Sequence, residues 1–430
     1  MVIKMERIVR TIQAIPYKLR MVLVACLLGL VSGLAGIFLH FLLELVEGLA
    51  FGQSEHQSDF LTDGVPPYRI GISLLIVGLT SALVWYFLQR KGKLLSIKGQ
   101  MKEEDSRSAL HFRKQLLHSS WQIVAVGAGA PIGKEGAPRE IGALLAGPLA
   151  KGFDLSLTDR IFLIACGAGA GLAAVYQVPL TSVFFIFETL GIAFSLKRFV
   201  LAGVTTYIAA FVAGWVISDH ALYKMLDTTW SLQVLWMMPI LVLVLTPLAY
   251  GFARLTKQAT AHRIKDQRIF LTLPLAFLFL AFLAQNLPHL LGNGRMVAQE
   301  VINGIPWKTA LVLFVLKALV VLLTLWAGAY GGTLTPSFAL GMAGASLITL
   351  AFGFEGLSTL LLIGAVCFLT VTLNAPFSAT GLVIGFTGQG LEALPYLLLA
   401  AFLAHALGRA LDRISWKGLI RPKVRASEDG

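Results

Sequence analysis

Charge is scarce in this sequence. Asp, Glu, Lys and Arg make up 13% of 430 residues, about half the share of an average soluble domain. A chain of this length folding in water would carry charged surface over two or more domains, so a soluble enzyme is excluded. Cysteine is nearly missing: Cys26, Cys166 and Cys367 all lie inside apolar runs, which indicates neither a disulfide scaffold nor a cysteine metal framework. The 8 histidines are scattered singly. None has metal-ligand spacing, and H-E-x-x-H and G-x-S-x-G are missing, so no metal, no other cofactor and no intramembrane hydrolase is expected. A cleavable leader is not expected either. The first apolar run, Met21 to Leu49, is far longer than the apolar part of a signal peptide, and should stay as a membrane helix.

What is present is apolar length. Hydrophobic residues make up 57% of the chain, and runs long enough to cross a bilayer recur throughout. The 42 glycines fit membrane helices that pack closely or backbone that lines an internal path. The net charge of +12 would suggest nucleic acid in a soluble protein, but its cations sit at the ends of apolar runs and form no stripe. Lys4, Arg7, Arg10, Lys18 and Arg20 precede the first run, whereas the loop from Gly52 to Tyr68 carries Glu55, Asp59 and Asp63 with no Lys or Arg. Residues 89 to 114, 254 to 268 and 413 to 425 are basic again. This is the positive-inside pattern, which predicts both termini in the cytoplasm, a lipid bilayer as the surroundings and no nucleic-acid partner. The expected class is an all-α polytopic membrane protein. Its expected divisions are a cytoplasmic segment 1–20, a first membrane repeat 21–253, a basic linker 254–268, a second membrane repeat 269–412 and a cytoplasmic tail 413–430, with no soluble domain after residue 411.

Many apolar segments are too short to cross alone. They are broken at Gly129-Ala130-Pro131, Gln177-Val178-Pro179 and Asn374-Ala375-Pro376 and read as tilted or half-membrane helices that meet inside the membrane. Backbone freed at such breaks must be buried in protein or line a polar cavity. An internal repeat supports this. Gln177 to Ser182 resembles Asn374 to Ala379 at an offset of 197, and Gly133-Lys134-Glu135-Gly136-Ala137-Pro138 faces Gly331-Gly332-Thr333-Leu334-Thr335-Pro336 at 198. Two Gly-rich helix breaks at matching positions in two halves point to a binding site between repeats near the midplane.

The chemistry of those breaks favours an anion. A helix opening at Gly136 presents unpaired amides and the positive end of its dipole. Gly133 and Gly136 let an ion approach backbone nitrogen. The stretch from Gly331 to Pro336 is expected to do the same from the other half, with Lys134, Thr333 and Leu334 beside the ion. Glu135 lies inside this pocket, where a carboxylate is costly enough to imply a function. It is expected to occupy the anion's own seat when ionised and to leave it on protonation, acting as gate and proton carrier together. The plainer alternative is a carboxylate that caps the helix or pairs with Lys134 or Arg139. Glu188, in the apolar stretch Phe184 to Thr189, reads first as a structural, hydrogen-bonded carboxylate.

These residues resemble the CLC family of chloride channels and chloride/proton exchangers. Gly133 to Gly136 is similar to its G-[K/R]-E-G-P motif, Gly332 to Pro336 to G-x-F-x-P, and Leu172-Ala173-Ala174 through Pro179 followed by Phe187-Glu188 to the family's apolar stretch. The resemblance spans residues 20 to 416. It implies a homodimer with one pore per subunit, an inverted-repeat fold of tilted and half-membrane helices, small anions and protons as partners, and Glu135 as the external gating glutamate. It also implies a bacterial-type member without CBS domains, in the inner membrane.

The departures from the family pattern carry their own expectations. Leu95-Ser96-Ile97-Lys98-Gly99 stands where the family has G-S-G-I-P, so Ser96 is expected to supply a hydroxyl to the ion. Leu334 replaces the family's Phe, and Trp416 falls where a Tyr closes the inner side of the site; its indole N–H is a donor. Thr189 stands at the exchangers' internal proton-transfer glutamate and does not ionise, leaving Glu188 as the nearest acid on that path. The leading reading is anion/proton exchange of chloride, with a passive chloride channel as the alternative. Fluoride or nitrate stays open as the ion, and a non-transporting membrane enzyme or scaffold is the reading of another class.

Overall fold

The structure is a computed structural model, and it describes residues 14–55, 57–90, 92–102, 109–217, 221–225, 228–353 and 357–420. Lys4, Arg7 and Arg10 of the basic start and the tail beyond residue 420 lie outside the described residues. Sixteen α-helices follow one another with no strand among the described residues: α1 (Tyr17–Phe51), α2 (Pro67–Arg90), α3 (Ile97–Lys102), α4 (Ala109–Gly127), α5 (Gly136–Gly152), α6 (Leu157–Tyr176), α7 (Pro179–Glu188), α8 (Leu196–Ala213), α9 (Leu232–Ala261), α10 (Ile269–Ala284), α11 (Arg295–Asn303), α12 (Trp307–Ala327), α13 (Leu334–Phe352), α14 (Leu357–Leu373), α15 (Pro376–Thr387) and α16 (Leu394–Ile420). Eight stretches are long and apolar enough to cross a membrane, while α7, α10 and α15 are shorter apolar pieces. Large apolar side chains such as Phe38, Phe41 and Leu45 on α1 are exposed, as a helix facing lipid requires. The chain is an all-α polytopic membrane protein.

Local chemistry sets where the helices begin and end. The hydroxyls of Ser156 and Ser195 accept the amide of the third residue onward to start α6 and α8, satisfying donors that the first turn leaves free. Pro179 and Pro376 open α7 and α15, where the missing amide costs nothing. The residues just before these prolines turn the chain the same way in each half. Gln177 and Asn374 both have φ of 54°, a left-handed conformation that is rare for a residue with a side chain. The 197-residue repeat is thus a repeat of backbone geometry.

Packing repeats as well. In the first half α5 lies against α6 with Gly142 and Gly167 back to back, so that a Cβ on either would strike the other's carbonyl oxygen; in the second, Gly341 of α13 and Gly364 of α14 do the same. Small residues let membrane helices approach to backbone contact, where dispersion and weak Cα–H bonds replace the missing hydrophobic drive. The basic linker is partly helical: α9 continues through Arg254 and Lys257 to Ala261, and only residues 262 to 268 form the turn between halves.

Candidate anion site where two chain breaks meet

The two Gly-rich breaks are joined directly. Gly133 donates its amide to the Gly332 carbonyl at 2.7 Å, and Gly332 returns a bond to the Gly133 carbonyl at 2.9 Å. This isolated antiparallel bridge fixes the start of α5 beside the start of α13. Glu135 is the residue before α5, and its side chain crosses to the other half. Leu334 N–H donates to Glu135 Oε1 at 2.6 Å, and Thr335 Oγ1 donates to Oε2 at 3.2 Å. Leu334 is the first residue of α13, so the carboxylate sits on the positive end of that helix dipole, an arrangement worth up to about 2 kcal/mol where it is buried. Glu135 has no exposed surface. A Cβ at Gly133 or Gly332 would overlap its carboxylate, so bare backbone at both positions makes room for it.

Two cavities flank this carboxylate. The first, about 560 Å³, is lined by Lys134, Glu55, Asp59, Arg295, Tyr176 and Phe386 among others; the second, about 880 Å³, is lined by Arg139, Gly331 to Leu334, Arg254, Lys257, His405 and Arg409 among others. Lys134 and Arg139, on either side of Glu135 in sequence, thus line different cavities. The first holds an ion network. Glu55 Oε2 pairs with Lys134 Nζ at 2.5 Å and with Arg295 at 3.7 Å, and Asp59 pairs with Lys224 at 2.9 Å. The second is dominated by cations, with Asp412 its only carboxylate among the described residues. The second favours small anions, because low-dielectric walls focus the field of its cations, whereas the acids and bases of the first balance: Glu55, Asp59 and Asp63 against Lys134, Lys224 and Arg295.

The residues expected at the ion fall into three groups. Leu334, Thr333 and Gly136 are where the motifs put them: Leu334 N–H reaches the carboxylate, Thr333 precedes α13 and lines the second cavity, and Gly136 opens α5. Gly133 and Lys134 differ from expectation. The Gly133 amide is taken by Gly332, which leaves it a strap between halves and no free donor, and the Lys134 ammonium turns away to Glu55. Ser96 also differs. It is exposed, its hydroxyl accepts the Gly99 amide at the start of α3, and it does not line the second cavity. Trp416 lies on α16, and its side chain is outside the described residues.

Of the plainer reading of Glu135, the helix cap is seen, at the start of α13, and the pairing with a neighbouring cation is not. Its carboxylate pairs with neither Lys134 nor Arg139; Arg139 Nε donates instead to the Glu135 main-chain oxygen at 2.7 Å. Glu188 accepts bonds from Phe377 N–H at 3.1 Å, Ser378 N–H at 2.7 Å and Ser378 Oγ at 2.6 Å. It therefore closes the start of α15, as Glu135 closes that of α13. Thr189 is partly buried with a hydroxyl that has no hydrogen-bond partner among the described residues. Sequence reasoning missed Thr335, whose hydroxyl follows Leu334 by one position, and missed Tyr176 and Tyr223, two buried phenols without hydrogen-bond partners among the described residues that border Phe386. The break at Gln177 was the one available signal for Tyr176.

Comparison with known proteins places this geometry. A profile described as Voltage gated chloride channel matches residues 77–409. The chain is 27% identical over 418 residues to the voltage-gated ClC-type chloride channel ClcB of Salmonella typhi, covering 91% of this chain and 96% of that one. It is 28% identical to the ClcB of Salmonella typhimurium strain LT2 over 411 residues, with 91% and 96% covered. Among solved structures, a slow cyanobacterial Cl⁻/H⁺ antiporter superposes with a TM-score of 0.78 at 21% identity, covering 91% of this chain and 95% of that one. A CLC-type fluoride/proton antiporter does so with 0.66 at 17%, over 91% and 95%. These two are likenesses of fold. The family is one of channels and transporters and not of enzymes, and with a match over most of its length, two repeated breaks and a carboxylate between them, the chain belongs to the voltage gated chloride channel family.

Proposed function

We propose that this protein exchanges a small anion, chloride first, for protons across the membrane, with Glu135 as the moving gate. The observation that carries the reading is the seat of the Glu135 carboxylate on Leu334 N–H at the start of α13, between two cavities. An anion reaching that seat competes with the carboxylate for the same donors, and protonation of Glu135 removes the charge that holds it there. Anion entry and protonation thus displace the same carboxylate from the same seat, which couples the two movements. Leu334 N–H, Thr335 Oγ1 and the backbone of Gly136 and Thr333 serve as the anion's ligands in this scheme. Arg139, which lines the second cavity and holds the Glu135 main-chain oxygen, supplies a cation beside it.

The ClcB relatives are described as chloride channels and the two structural neighbours as Cl⁻/H⁺ and fluoride/proton antiporters, which supports the ion class. The positive-inside pattern supports cytoplasmic termini, with the first cavity facing outward and the second inward. The bacterial relatives support the inner membrane, the family likeness supports a homodimer with a pore in each subunit, and the repeat supports halves at 21–253 and 269–412. A passive channel is the second reading, favoured by Thr189, which carries no titratable proton.

One experiment separates the two. In liposomes holding the purified full chain, an imposed chloride gradient drives protons uphill if exchange operates and leaves pH unchanged if the path is a channel. Glu135→Gln abolishes the proton flux and retains anion flux. Proton flux unchanged in that variant would remove Glu135 from the role.

A further inference from the structure

Exchange requires a proton to reach Glu135 from the inner side, and the second cavity is a poor route for one. Its lining carries Arg139, Arg254, Lys257 and Arg409 against Asp412, a field that draws anions and repels protons. Glu188 is committed to three hydrogen bonds at the start of α15, and Thr189 does not ionise. Another carboxylate lies on the far side of α5. Glu140 lies on α5, five residues beyond Glu135, and its side chain is 16% exposed. All of its side-chain contacts fall on one oxygen: Oε2 accepts from Ser119 Oγ at 2.8 Å, from Gln122 Nε2 at 2.9 Å and from Gln115 Nε2 at 3.4 Å, and lies 3.5 Å from His118 Nε2. Oε1 has no recorded partner among the described residues. A carboxylate held by one oxygen and open at the other is oriented for proton exchange, the arrangement that a fixed acid–base group needs.

We propose that Glu140 is the inner proton-loading residue of this transporter, resting on the exchange reading above. The proton comes from water on the inner side to Oε1 and passes, through water admitted between the two acids, to the Glu135 carboxylate once that has left Leu334. Gln122 joins the stations physically: its Nε2 holds Glu140, and its Oε1 stands against Gly136, beside Glu135. The charged and titratable groups around Glu140 are His118 and Lys114 on α4, Arg139 on α5, and Arg263 in the turn before α10, which lies over the Tyr330 ring that His118 meets edge-on. Lys114 is held by the Gly92 and Lys93 carbonyls and Arg263 by Tyr330 and the Leu325 carbonyl, so neither neutralises Glu140 by direct contact. Anions and protons thereby use separate inner approaches, one lined by cations and the other ending on an acid.

The test uses the full chain in liposomes with chloride and pH electrodes. Glu140→Gln keeps the size and the hydrogen-bond acceptor of the side chain, so chloride flux stays within about threefold of wild type while chloride-driven proton uptake falls about 100-fold. Glu140→Asp restores measurable proton uptake, which a merely structural role does not predict. Proton uptake at the wild-type ratio in Glu140→Gln overturns the assignment, and so does a parallel loss of both fluxes that Asp fails to rescue. If the wild type itself moves chloride without protons, the exchange reading fails and this one falls with it; a coupled wild type with a coupled Glu140→Gln overturns this inference alone.

Discussion

Gly332 shows how little space surrounds the Glu135 carboxylate. Its amide and carbonyl are both committed to Gly133, and a methyl group at its α-carbon would overlap the Glu135 carboxylate. Gly332→Ala is expected to hold that carboxylate off Leu334 and to destabilise the protein by about 1–3 kcal/mol. Thermal unfolding in detergent reads the second effect, and the pH dependence of chloride flux reads the first, since a gate already displaced no longer responds to protonation. Lys317 makes a different point. It is fully buried on α12 and donates to the carbonyls of Leu290 and Gly292 at 2.8 and 2.7 Å. Lys317→Met leaves both carbonyls unpaired, at a cost of about 1–3 kcal/mol each, so the variant should unfold at lower temperature. The contacts of Lys317, Thr335 and Glu140 were not legible in the sequence. Their partners lie 25 or more, 200 and 18 or more positions away, and no local pattern announces such a pairing. Glu135 was legible, because an acid at a glycine-flanked helix start in an apolar run has few explanations. The errors at Gly133 and Lys134 share one cause: a motif tells which groups are near, and only the opposite strand or loop tells which are already taken.

At the scale of elements, the helix pairs α5 with α6 and α13 with α14 hold the two breaks in place by backbone contact at Gly142, Gly167, Gly341 and Gly364. Gly167→Ala forces a methyl group against the Gly142 carbonyl, and Gly364→Ala does the same at Gly341. Each is expected to lower the unfolding temperature and shift both flanking helices, with loss of about 1–3 kcal/mol. The turn between halves behaves differently, because it lies in water. Asp266 takes the Arg268 side chain at 2.8 Å and its amide at 2.9 Å, and these bonds, the side-chain one foremost, hold its carboxyl below the usual aspartate value. A depressed folded value stabilises the turn above the unfolded pKa of about 3.9 and loses that contribution as pH falls through the folded value. Hydrogen exchange at residues 268 to 272 should therefore quicken only on strong acidification. Helix boundaries at proline were readable from local chemistry, as at Pro179 and Pro376; the serine starts at Ser156 and Ser195 were not read. The continuation of α9 into the basic linker was not, since charge and helical propensity are compatible in Lys and Arg.

For the whole molecule, the repeat was the most informative feature of the sequence, and it reappears as equal left-handed turns at Gln177 and Asn374 and as paired glycines in each half. What it did not disclose is that the acid comes twice from the first half and the receiving helix twice from the second, at Glu135 with α13 and at Glu188 with α15. The proposed orientation gives a direct check. Single cysteines introduced at Ser58 and Gln267 should react with a membrane-impermeant thiol reagent from opposite faces of intact vesicles, Ser58 from outside. Labelling of both from one face would invert or break the topology.

The reciprocal bonds between Gly133 and Gly332 clasp the halves together beside the Glu135 carboxylate. In the exchange proposed above, a latch at that point assigns the traffic to the swing of a single arm, a turnstile whose tempo is set by side-chain rotation and local repacking and not by the slow parting of lobes.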